Sequence, residues 1–193
     1  TATTYAFTLA NGTAMAPGDY TNAPTFSGGV TLSGGLLTVP AGVASFTVTY
    51  PTVDDSADEP TETTLLTIGG STGQGNILDN DAPPALSVND VTVSESAGVA
   101  VFTVSLSAAS GLPVTVAYNT GNASALAGGD YTAAGGTLTF APGATALTVT
   151  VPIINDTAAE PTETFNVVLS APGNATILDP TGVGTILDDD LPA

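Results

Sequence analysis

Val99-Ala-Val-Phe-Thr-Val-Ser-Leu106 alternates with period two, and the same rhythm extends outward from it in both directions. Downstream come Val114-Thr-Val-Ala-Tyr118, Thr137-Leu-Thr-Phe140, Ala146-Leu-Thr-Val-Thr-Val151 and Thr164-Phe-Asn-Val-Val-Leu169. Leu86-Ser-Val-Asn-Asp-Val-Thr-Val93 opens this region and Gly182-Val-Gly-Thr-Ile-Leu187 closes it. Alternation bounded by Gly, Pro and Asn indicates strands with one buried face. About seven such strands in about 105 residues is the pattern of a Greek-key, immunoglobulin-like sandwich. No stretch carries the 3.6-residue period of an amphipathic helix. The composition agrees: Val, Thr, Ala, Leu and Ile dominate, punctuated by 22 Gly and 14 Pro, with no Trp and one Met. The fold class read from the chain is all-β.

The 193 residues leave room for two modules of roughly 100 residues each, and an internal repeat shows that there are two. Gly18-Asp-Tyr-Thr21 returns as Gly129-Asp-Tyr-Thr132, and Glu59-Pro-Thr-Glu-Thr63 returns as Glu160-Pro-Thr-Glu-Thr164. Asn76-Ile-Leu-Asp-Asn-Asp81 is echoed by Thr185-Ile-Leu-Asp-Asp-Asp190. The first copy has about ten extra residues before its Glu-Pro-Thr-Glu, expected as a longer hairpin around Gly28-Gly29 to Gly34-Gly35. The boundaries read as an incomplete module at 1–82, a Pro-containing linker at 83–85 and a complete module at 86–193. Thr4-Tyr-Ala-Phe-Thr-Leu9 corresponds to Val114–Tyr118, so the first module lacks its two opening strands and would expose a sheet edge. Two explanations stand open: the stretch is an excerpt of a longer repeat protein, or a neighbouring molecule supplies the strands.

The charge inventory excludes whole classes of function. There are 18 acidic side chains and no Lys, Arg or His. Side-chain salt bridges are impossible, and nucleic acid has no cation with which to pair its phosphates. Histidine acid–base chemistry, imidazole metal sites and lysine Schiff bases are excluded with them. Cys is absent, which removes disulfides and thiolate sites. No apolar run approaches the ~18 residues that cross a bilayer, so direct membrane insertion is not expected. No signal peptide stands at the start, and an export signal is expected outside this stretch.

The carboxylates of the second copy sit in loops. Glu95 follows its first strand, Asp156 and Glu160 precede Glu163, and Asp188, Asp189 and Asp190 end the last strand. A sandwich gathers alternate loops at one end, so these groups can converge. Several carboxylate oxygens with backbone carbonyls and water match Ca²⁺, which takes six to eight hard ligands in flexible geometry. Mg²⁺ fits less well because it demands a tight octahedron. Loop acids are commonly just solvated, but these recur in both copies with no internal cation to neutralise them.

The run from Leu86 to Glu95, through Gly129-Asp-Tyr131 and Asn155-Asp156…Glu160-Pro-Thr-Glu163, to Ile186-Leu-Asp-Asp-Asp190 resembles the Calx-β family. The likeness covers residues 85–190 and, without the opening strands, residues 4–81. It implies two Calx-β sandwiches in tandem that bind Ca²⁺. The ligand positions it implies in the second copy are Glu95, Asp156, Glu160, Asp188 and Asp190, with Glu163 nearby. Asn155 stands where such modules often carry another Asp, which implies fewer ions. In the first copy the matching positions are Asp54, Asp55, Glu59, Glu62, Asp79 and Asp81, with Asn80 replacing the middle Asp. Asp19 and Asp130 read instead as turn residues that place the Tyr beside them. Asp19-Tyr-Thr-Asn-Ala-Pro-Thr-Phe26, Val39-Pro-Ala-Gly42 and Ile77-Leu-Asp-Asn-Asp81 are also similar to repeats of giant bacterial RTX-type surface adhesins. The Asn-x-Ser/Thr sequences at Asn11, Asn122, Asn155 and Asn174 carry little weight in so Thr-rich a chain.

The expected function is a structural calcium-binding repeat of a secreted cell-surface or matrix protein, in an adhesin stalk or a fibre or surface-layer subunit. Ca²⁺ would stiffen module ends and the junction near Ala82-Pro83-Pro84. Neighbouring repeats, identical subunits or a surface target would be its partners. Two alternatives are a filament subunit that assembles by strand donation and a calcium-sensor module of a membrane transporter, as in sodium–calcium exchangers. An enzyme is not expected, because nothing marks a cleft and the acids recur in repeats.

Overall fold

The computed structural model describes residues 1–190, an all-β chain of two units. The first unit comprises Thr1–Asp55 and Pro60–Asn80. Its strands are β1 (Thr3–Asn11), β2 (Thr25–Phe26), β3 (Thr31–Ser33), β4 (Leu36–Val39), β5 (Val48–Thr49), β6 (Glu62–Ile68) and β7 (Ser71–Ile77). Five of them form an antiparallel sheet in the order β3-β4-β1-β6-β7, while β2 and β5 pair separately. The extra residues do form a hairpin, β3–β4, turned at Gly34 and Gly35. Both have positive φ (55° and 78°), as a tight two-residue turn requires. Phe7, Leu9, Tyr20, Leu37 and Val39 make the core.

The second unit contains Ser56–Glu59 and the chain from Asp81 on. Its strands are β8 (Ala85–Val88), β9 (Val91–Ser94), β10 (Val99–Leu106), β11 (Val114–Asn122), β12 (Gly135–Phe140), β13 (Ala146–Pro152), β14 (Glu163–Gly173), β15 (Thr176–Asp179) and β16 (Thr181–Leu187). A four-stranded sheet runs β13-β10-β8-β15 and a five-stranded one β12-β11-β14-β16-β9. Ala100, Phe102, Val104 and Leu106 of β10 point into the core, where Phe102 meets Phe165 edge-on at 5.8 Å between ring centres. Tyr131 stacks on the same Phe165 ring at 4.6 Å.

The single opening strand expected over 86–93 is two strands, one in each sheet. β8 pairs with β10 and β15, whereas β9 runs parallel to β16. Asn89 and Asp90 make the crossing possible by occupying backbone donors that a continuous strand would have used. Asn89 Oδ1 accepts the Thr103 N–H at 2.6 Å, and Asp90 Oδ1 accepts the Val183 N–H at 2.7 Å. The short β15 also escapes a reading by alternation, because Thr176–Asp179 is too brief to show a period.

The units share one sheet and differ in the other. β1 pairs with β4 and β6 as β11 pairs with β12 and β14. Among the described residues, no strand of the first unit takes the places of β8, β9 and β10. A cavity of about 550 Å³ in this unit is lined by Tyr5, Val39, Phe46, Val48, Leu66 and Ile68.

Candidate metal centres

Three loops and one strand end bring acids together at one end of the second unit. Glu95 starts a 3-10 turn, Glu95–Ala97, closed by Gly98 in the left-handed conformation with its N–H bonded to the Glu95 carbonyl. This turn folds the Glu95 side chain inward, leaving it 3% exposed. Asp156 lies in the β13–β14 connection, where its Oδ1 accepts the Ala158 N–H at 2.7 Å. Asp190 follows β16. Oxygens of Glu95, Asp156 and Asp190 lie within 4.8 Å of one another. Glu95 Oε2 and Asp190 Oδ2 are both buried and have no hydrogen-bond partner. Buried carboxylate oxygens are costly to leave unsatisfied, and two aimed into one cluster are what a divalent cation resolves.

A second cluster adjoins the first in sequence. Oxygens of Asp130, Glu160 and Glu163 also lie within 4.8 Å of one another. Asp188 holds the arrangement together: its Oδ2 accepts the Glu160 N–H at 3.0 Å and its Oδ1 the Asp190 N–H at 3.1 Å. Asp188 thus positions one member of each cluster and is not itself part of either trio.

The electrostatics show the strain of packing these charges. Burial pushes the Glu95 carboxyl above the usual range, and Asp156, Glu160, Asp188 and Asp190 push it further. Glu163 is pushed up to about 7, first by burial, then by its hydrogen-bonding neighbour Asp130, with Glu160 and Glu95 adding. Glu160 and Asp190 are also raised by desolvation and by the acids around them.

From sequence, Asp130 reads as a turn residue. It is one, since its Oδ2 accepts the Leu126 N–H at 2.6 Å, but its carboxylate also belongs to the cluster. Asp19 is its counterpart, with Oδ2 accepting the Met15 N–H and a carboxylate oxygen within 4.8 Å of one from Glu62. The signal was in the repeat: Gly-Asp-Tyr returns as faithfully as Glu-Pro-Thr-Glu. Glu59 lies in the segment Ser56–Glu59, which groups with the second unit. Among the described residues, Asp54, Asp55, Asp79 and Asp81 enter no cluster of three acids. All the clustered donors are hard oxygens, a set suited to Ca²⁺.

An all-β sandwich with paired acidic clusters in its end loops is a narrow class. The Calx-beta domain family matches residues 1–82 and again 79–190, and the chain belongs to that family. Among solved structures it is similar to the apo-form Calx CBD1 domain (25% identity, TM-score 0.50), over 55% of this chain and 99% of that one. It is similar to CBD12 from CALX1.2 (26% identity, TM-score 0.53) over 55% of this chain and 46% of that one. The calcium binding domain CBD12 of CALX1.1 matches at 27% identity and TM-score 0.52, over 54% of this chain and 46% of that one. The match thus spans just under half of each CBD12 chain. No curated protein matches the chain.

Proposed function

We propose that the chain is a tandem calcium-binding module whose second unit senses calcium through the Glu95–Asp156–Asp190 and Asp130–Glu160–Glu163 clusters. The two unpartnered buried oxygens, Glu95 Oε2 and Asp190 Oδ2, carry this reading. Asp188 links the clusters by accepting the N–H of Glu160 from one and of Asp190 from the other, so an ion in one reorganises the field at the other. The resemblance to a domain described as calcium binding supports a regulatory role of the kind played by transporter-attached modules. Such a sensor half-saturates at about 10⁻⁷–10⁻⁵ M calcium. A calcium titration of the intact chain tests this, and half-saturation near 10⁻³ M would sink the sensor.

A second reading is favoured by the open cavity of the first unit. There Tyr5, Phe46, Val48 and Leu66 line an apolar groove, in a unit where, among the described residues, no strand stands in for β8 and β10. A strand pair from a neighbouring repeat or an identical subunit would fill it by β-addition, joining modules into an extracellular fibre or adhesin stalk stiffened by calcium. Electron microscopy with calcium and then chelator separates the readings: fibres with a module-scale repeat favour strand donation, and discrete particles oppose it.

A further inference from the structure

The loop that carries Asp130 is gripped from beneath by contacts the ion clusters do not explain. Asn122, the last residue of β11, turns its Oδ1 toward two donors, the Tyr131 hydroxyl at 2.6 Å and the Ala127 N–H at 3.0 Å. Tyr131 is 1% exposed and lies nearly flat on Phe165, with 20° between the rings. Its hydroxyl is therefore a fixed point of the core, and Asn122 ties the loop to that point.

The first unit builds the same grip with a loop that differs at four of its seven intervening positions. Asn11 Oδ1 accepts the Tyr20 hydroxyl at 2.7 Å and the Ala16 N–H at 3.2 Å. The intervening residues are Gly12-Thr-Ala-Met-Ala-Pro-Gly18 in one unit and Ala123-Ser-Ala-Leu-Ala-Gly-Gly129 in the other. The two loops share the Asn, the Tyr nine residues on, the Asp just before that Tyr, and the small residues Ala14, Ala16 and Gly18, which return as Ala125, Ala127 and Gly129. That Asp closes its own loop onto the backbone N–H four residues earlier.

We propose that Asn122 is a positioning residue of the ion site: by holding both Ala127 N–H and Tyr131 hydroxyl, its amide oxygen fixes where Asp130 meets Glu160 and Glu163. This rests on the calcium reading above. The loop has closures that do not need Asn122, the Gly128 N–H to Tyr131 carbonyl bond at 2.8 Å and the Asp130 N–H to Leu126 carbonyl bond at 3.0 Å. Removing the amide therefore leaves a formed loop with a misplaced carboxylate. Groups that orient metal ligands from one shell out are worth about 10–100-fold in affinity.

The test is titration of the intact chain with calcium chloride, beside amide hydrogen exchange of the calcium-free protein. Asn122→Ala weakens calcium binding by about 10–100-fold and speeds exchange at Ala127. Asn122→Asp keeps an acceptor oxygen at the same place and restores both. Should Asn122→Ala fail to fold, Tyr131→Phe removes one of the two donors while keeping the ring, and shows the same loss in smaller measure. Calcium binding like wild type in Asn122→Ala, or no rescue by Asn122→Asp, overturns the proposal. A wild-type chain that binds no calcium refutes the calcium reading and with it the site role, whereas unchanged exchange at Ala127 refutes the clamp alone.

Discussion

The backbone N–H of Glu160 donates to Oδ2 of Asp188 at 3.0 Å, across 28 residues of sequence. That bond fastens the β13–β14 connection to the end of β16, and it draws the acids of these two parts of the chain together. Without a cation the group is over-charged.

Glu95→Gln should stabilise the calcium-free protein while weakening its response to calcium. The substitution keeps the shape and removes a buried charge from among Asp156, Glu160, Asp188 and Asp190. A gain on the order of 1 kcal/mol raises the melting temperature by about 2–8 °C. Scanning calorimetry with chelator and then with calcium reads both effects.

The pH dependence should run opposite to that of a protein held by paired carboxylates. Glu163 is pushed up to about 7 in the folded chain, so the fold binds its proton more tightly than the unfolded chain does. Its contribution is fully present below the unfolded value and is lost as pH rises through about 7. Calcium-free protein therefore gains stability on going from pH 8 to pH 5. Calcium competes with that proton, so binding weakens over the same interval. Melting curves and titrations at several pH values check the two signs.

Asn89→Ala should lower the stability of the second unit by about 0.5–1.5 kcal/mol, because it removes the bond from the Thr103 N–H to Asn89 Oδ1 at a solvent-accessible place. Calcium affinity should stay unchanged, since Asn89 belongs to neither cluster. Urea melts and a calcium titration separate these effects.

Gly184→Ala should be more damaging than its size suggests. A Cβ there would stand 2.4 Å from the Phe165 ring and 3.0 Å from Phe102. Overpacking of this kind costs about 1–3 kcal/mol. Because Phe165 also carries Tyr131, chemical shifts of the Tyr131 ring should move with the substitution.

Much of this was legible in the sequence, for reasons that particular residues make plain. β10 spans Val99–Leu106, the stretch whose alternation announces it, because that strand is sandwiched in a sheet with one face wholly buried. The Leu86–Val93 region misled because both halves alternate, and the break at Asn89-Asp90 shows only once their side chains are seen capping other strands. Glu95, Asp156, Glu160, Glu163 and Asp190 do converge in the two clusters. Asp130 escaped because its local role as a turn acid was a sufficient account of it. The return of Gly-Asp-Tyr beside Glu-Pro-Thr-Glu signals a second role for it, but a linear reading does not show that its carboxylate meets Glu163.

Calcium titration by calorimetry, on the chelated wild-type chain and on Glu95→Gln, tests the central claim most directly. The account predicts saturable binding by the wild type, weakened or lost when the buried carboxylate becomes an amide. No calcium-dependent heat in the wild type, or equal affinity in the two proteins, would contradict it.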